Sequence, residues 1–185
     1  MAGLLRRRGK RERAAFQLYA AAVAAARDPY FYATLGVPDT LDGRFDTIGL
    51  HVYLTIRRLN DKPDPGAAAE SGQAMAQAVF DAMFLDMDIN LREMGVGDMS
   101  VGKRNRAMWE AFHGRSAAYA AAWDDPAALE VALARNLWRG AEPPDGAAGA
   151  MARVAYAQSM YLENQSMGAM LLGDVRFLPA EEAAR

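Results

Sequence analysis

The stretch from Val79 to Met108, VFDAMFLDMDINLREMGVGDMSVGKRNRAM, narrows the choice of fold more than any other part of the chain. Laid out at about 100° per residue, Val79, Phe80, Met83, Phe84, Met87, Leu91 and Met94 share one arc of a helix. Such an arc is a core-facing stripe. Gly95 then stands where a helix wants a left-handed residue beyond its last turn. Gly97 is read as keeping the turn tight, and Ser100 as the cap of a second helix that runs to about Trp123. Leu85 and Ile89 fall outside the stripe. They lie one turn apart among Asp81, Asp86, Asp88, Arg92 and Glu93. Apolar residues on a charged face need something to touch, either another helix of the same domain or a partner protein.

The rest of the chain is helical by the same criteria. Glu12 to Arg27 reads as a first helix with bulk from Phe16, Leu18, Tyr19 and Val23, stopped at Asp28-Pro29 because the residue before a proline avoids the helical region. Tyr30, Phe31, Tyr32 and Leu35 beside Gly36 and Pro38 predict a short helical turn and loop that plug rings into the core. A second helix is expected from Asp42 to Asn60. Asp61 to Gly72 is the clearest loop, with two prolines and two glycines. The third helix is expected over Gln73 to Met94. Asp125, with Pro126 at the first helical position, starts a fifth helix to about Arg139. A last long helix is expected from Ala147 to Leu172, with an irregular tail after Gly173. No segment alternates like a strand for a convincing length. These readings predict an all-α, single-domain bundle of about six helices with an aromatic-rich loop between the first two. Residues 1–13 are read as a basic, flexible arm, 14–178 as the helical domain and 179–185 as a tail.

The absence of cysteine excludes disulfides, thiol catalysis and thiolate metal sites. A net charge of −2 gives no support for specific nucleic-acid binding. No run reaches the ~20 apolar residues of a membrane-spanning helix. Arg6, Arg7, Arg8, Lys10, Arg11 and Arg13 precede a weakly hydrophobic alanine-rich run. That run is read as a mature helix rather than a signal peptide. The basic head itself could meet a ribosome or an anionic membrane surface.

Several motifs fail on their own chemistry. Gly97 to Lys103 fits GxxxxGK, but Arg104 stands where a P-loop needs the hydroxyl that binds magnesium. An anion such as a carboxylate could still sit at this turn with Lys103 and Arg104. Asp86, Asp88 and Asn90 imitate the start of a calcium loop, yet residues two apart on a helix point away from one another. His51 is read as a hydrogen-bonded structural histidine. His113, the other histidine, stands at no metal-ligand spacing from it. No catalytic residue, metal site or cofactor is assigned. An enzyme holding an anionic ligand at Gly95–Lys103 would need a pocket with His51 or His113 close by. A plain helical scaffold would need Leu85 and Ile89 buried within one copy.

Three segments, FYATLGVPDTLDGRFD, LHVYLTIRRL and LDMDINLREMGVGDMSVGKR, occur in the order and spacing seen in the ubiquinol–cytochrome c chaperone family, which the chain resembles from about Phe16 to Arg139. The resemblance implies a non-catalytic assembly factor of respiratory complex III whose client is newly made cytochrome b. A small partner protein assists some members. The motifs match the bacterial form more closely, which implies a cytoplasmic protein, peripheral at the inner face of the inner membrane. On this reading Leu85, Asp86, Asp88, Ile89, Arg92, Lys103 and Arg104 are the client-binding residues, and Gly95, Gly97 and Gly102 shape the turn. The 11 methionines suit an adaptable apolar surface, Met83, Met87, Met94 and Met99 among them.

Overall fold

The computed structural model describes residues 2–61 and 69–185, with side chains from 8 to 61, 71 to 98 and 100 to 185. Among them there is no strand. Six long helices form the bundle: α1 (Ala2–Ala26), α2 (Leu41–Asn60), α3 (Ala69–Glu93), α4 (Asp98–Ala122), α5 (Pro126–Leu137) and α6 (Ala147–Glu163). Two short ones follow, α7 (Met167–Leu171) and α8 (Ala180–Ala183). The all-α bundle is therefore what the sequence led one to expect. Most of the loop expected from Asp61 to Gly72 lies outside the described residues, and α3 is already helical from Ala69.

The central helix is α2, which packs against α1, α3, α4, α5 and α6. It buries Leu50, Val52, Leu54 and Leu59 together with the polar Thr47, His51 and Thr55. The two threonines are satisfied within the helix: the Thr47 and Thr55 hydroxyls donate to the carbonyls of Gly43 and His51, each at 2.9 Å. A threonine that bonds back one turn costs little when buried. The Thr40 hydroxyl caps the helix by accepting from the Gly43 amide at 3.1 Å.

The aromatic segment between α1 and α2 forms a five-residue π-helical turn, Tyr30–Thr34. Phe31 and Leu35 are buried in the core, whereas Tyr30 and Tyr32 are half-exposed and pack on its edge. Asp125 caps α5 as its spacing suggests, accepting from the amides of Ala127 and Ala128 at 3.0 and 3.2 Å.

Four elements differ from expectation. The first helix begins at Ala2 rather than Glu12, so the basic residues lie along its early turns. The second helix of the central pair starts at Asp98 with Gly97 as its cap, and Ser100 is already inside it. Gly102 therefore lies within α4 and shapes no turn. The last long helix breaks at residues 164–166. There the Ser166 hydroxyl caps α7 and the Arg58 side chain donates to the carbonyls of Leu162 and Gln165, both at 3.1 Å. A cation at a helix C-terminus satisfies carbonyls that have no partner further along. The tail is not irregular throughout either: α8 buries Ala180 and Ala183.

The α3 outer face and its neighbouring grooves

The candidate site is built on the end of α3 and the turn into α4. Gly95 has φ +78° and holds the left-handed position. Its amide donates to the Arg92 carbonyl at 2.9 Å, and the Val96 amide to the Leu91 carbonyl at 3.1 Å. These two bonds are a Schellman motif, which uses up carbonyls the helix end leaves open. Gly97, by contrast, has φ −63°, open to any residue, and nothing near it, so it is not needed as glycine. Replacing Gly95 with valine is expected to lower stability by about 1–2 kcal/mol, the cost of forcing an L-residue left-handed. Space around it is open, so the whole loss is conformational. Chemical denaturation of the variant checks it, and an alanine variant should lose less than the β-branched one.

Along α3 the inward stripe is real but stops short. Val79, Met83 and Leu91 are buried and Phe80, Phe84 and Met87 half-buried, while Met94 is 52% exposed. The reason is local: α3 ends at Glu93, and Met94 belongs to the turn. Leu85 and Ile89 are 57% and 44% exposed. Among the described residues nothing seals them, whereas the scaffold reading needed both fully buried within one copy.

The charged residues around them are less free than the sequence implies. Asp86 is engaged within the chain. It is half-buried and accepts the Tyr19 hydroxyl of α1 at 2.7 Å. Burial, with this bond second, pushes the tyrosine's pKa far up. Asp88 accepts from Arg92 Nε at 2.6 Å and from Asn105 Nδ2 of α4 at 2.7 Å. Arg92 also meets Asp98 across the turn. The hydrogen bond from Arg92 holds the Asp88 carboxyl below the usual carboxylate range. Asp86, Asp88 and Asn90 thus go to three different partners, Asn90 donating to the Asp86 backbone carbonyl at 2.8 Å. They share no ion.

Lys103 and Arg104 are exposed. Asn105 is the α4 residue that meets α3, and Lys103 lies two places before it, on another side of the helix. Neither histidine approaches the turn. His51 is fully buried, its Nδ1 donating to the Thr47 carbonyl at 2.9 Å. His113 packs against Trp109 with ring centroids 4.1 Å apart and the rings tilted by 54°. It lines a groove of about 790 Å³ between α2, α3 and α4, and none of that lining comes from residues 95–103.

That groove was not anticipated. Phe80, Trp109 and Phe112 form its apolar wall, and Arg57 lies on it with its guanidinium 4.3 Å from the Trp123 ring centre. Its residues come from positions 53 to 120, and only the crossing of three helices assembles them. The clue in the sequence was the pair of rings Trp109 and Phe112 on α4.

A family model described as ubiquinol-cytochrome C chaperone matches residues 33–177. The chain belongs to the ubiquinol–cytochrome c chaperone family. The crystal structure of the Cbp3 homolog from Brucella abortus is similar to this family member throughout: 34% identity, a TM-score of 0.79, and 98% of each chain covered. Comparison with curated proteins gives no match. The matched span includes the whole of α2 to α6, and so both the outer face of α3 and the aromatic groove of this family member.

Proposed function

We propose that this chain is an assembly chaperone of respiratory complex III that holds newly made cytochrome b on the outer face of α3. Membership of the chaperone family supports the assembly role, and the similar crystal structure is of a Cbp3 homolog. The observation that carries the surface is the exposure of Leu85 and Ile89, at 57% and 44%, on a helix whose opposite side is core. Fully burying such a side chain is worth about 1.5–3 kcal/mol, so two neighbouring ones supply a useful share of a weak, reversible grip. A client still being built must be released again, which favours modest affinity. Arg92, held by Asp88 and Asp98, borders the patch with fixed polarity. The aromatic groove offers a further apolar surface to a client segment. No helix among the described residues is long and apolar enough to cross a membrane.

The test is the double substitution Leu85→Asp with Ile89→Asp. Both positions are exposed, so the melting temperature should move little, surface changes being worth within about 0.5 kcal/mol. Retention of cytochrome b in a pull-down from native membranes should be lost. A double variant that unfolds, or one that still retains cytochrome b, would show that the client face lies elsewhere.

A further inference from the structure

We propose that the face formed by Lys10, Arg11, Arg13 and Gln17 of α1 with Leu171 and Leu172 at the end of α7 docks on anionic phospholipid. These residues line a groove of about 490 Å³ whose floor includes Ala14 and the buried Met75.

The charge is concentrated here. The whole chain carries 21 basic and 23 acidic residues, yet its first thirteen positions hold six basic residues and one acid, Glu12. Glu12 is engaged by Arg8 at 2.9 Å. Lys10, Arg11 and Arg13 are exposed, and none of them pairs with an acid among the described residues. Arg13 donates only to the Gly9 carbonyl one turn back, at 3.3 Å. Lys10, Arg13 and Gln17 recur at i, i+3 and i+7, so they share one side of α1.

The apolar half is held in place by a close backbone approach. Gly173 has φ +94°, and a Cβ there would sit 2.3 Å from Gln17 Oε1 and 3.0 Å from Ala14 Cα. Only glycine lets the end of α7 lie directly against α1. The contact leaves Leu172 beside the cations and 79% exposed. Cations flanking an exposed leucine over an apolar hollow match a phosphate headgroup with its acyl chains. Among the described residues the lining contains no aromatic ring, which a single-stranded nucleic acid would use for stacking.

The experiment is sedimentation of the full chain with phosphatidylcholine vesicles, with and without phosphatidylglycerol, at low and high salt. Binding is expected only with phosphatidylglycerol and should weaken as salt rises. The double variant Lys10→Gln, Arg13→Gln should bind about thirty-fold more weakly, at roughly five-fold per cation. Leu172→Ser should weaken binding while leaving its salt dependence unchanged. All three positions are exposed, so the folded state should persist, as a melting curve would verify. The Leu85→Asp, Ile89→Asp variant should sediment like the unmodified chain, which separates this surface from the client face. Equal binding to pure phosphatidylcholine would overturn the proposal. So would unchanged binding by the substituted chains, or capture of an RNA oligonucleotide with no sedimentation on vesicles.

Discussion

Replacing Asp46 with alanine is expected to lower the melting temperature by roughly 6–20 °C. Asp46 sits on α2 with its side chain wholly out of water. It accepts from Arg115 of α4 at 2.8 Å and from Arg139, just beyond α5, at 2.6 Å. One carboxylate therefore ties three helices. Arg139 holds an unusual left-handed backbone, φ +54°, and its other arm reaches Asp42 at 2.9 Å. Removing the carboxylate would leave two guanidinium groups facing each other, one of them 85% buried by its 15% side-chain exposure. Breaking a buried pair from one side costs about 3–5 kcal/mol, because the charge left behind has no compensation. Burial pushes the Asp46 carboxyl above its usual range even against the pull of the two arginines. Desolvation thus offsets much of the attraction. Two further outcomes follow. Asp46→Asn, which keeps the shape, should lose less than Asp46→Ala. A variant with both Asp46 and Arg115 replaced by apolar residues should recover part of the loss. Thermal melts of the set decide it; an Asp46→Ala chain as stable as the parent would mean that the three-helix tie contributes nothing.

None of that cluster is visible in the sequence, and the reason is distance along the chain. Asp46 and Arg139 are 93 positions apart, and nothing local marks either. What is local can be read. The stripe on α3, the left-handed Gly95 and the Asp125-Pro126 start of α5 each depend on residues within two turns. The break between α6 and α7 shows the limit. Met167 and Met170 continue the apolar spacing and are buried as the pattern demands. The helix nevertheless stops, because Gln165 turns aside to pair with the backbone of Arg176, at 2.8 Å in both directions, and Arg58 takes the open carbonyls. These are tertiary bonds that end a helix which its own sequence would extend.

The candidate site divides the same way. Helical phase takes Leu85 and Ile89 off the core stripe but leaves open what they touch; the fold leaves them 57% and 44% exposed. Phase leaves the fate of the acids among them open as well. Asp86 is taken by Tyr19, 67 residues away, and Asp88 by Asn105, 17 away. The sequence names both as client-binding residues, and each has a partner on another helix. Lys103 and Arg104 stay exposed in the first turns of α4.

Acidification is expected to destabilise the fold well above the pH at which its carboxylates protonate, because of His51. The ring is held between Phe31 and Phe177, each with its centroid 5.5 Å away, and Nδ1 donates to the Thr47 carbonyl. Nε2 is buried without a partner. A proton there would bring a charge into an apolar pocket. Burial accordingly drives the His51 pKa down to about 4, although the Thr47 carbonyl and the charge of Asp28 pull upward. An unfolded chain would take up that proton near pH 6.5. Between these two values the unfolded state binds more protons, so stability rises with pH across the window. It is complete above about pH 6.5 and lost progressively as pH falls toward 4. The loss amounts to about 3 kcal/mol at the lower end, at 1.36 kcal/mol per unit. Urea unfolding at several pH values should show this slope, and His51→Gln, which keeps a donor for Thr47, should flatten it. A His51 ring resonance that titrates near pH 6.5 in the folded protein would contradict the account directly.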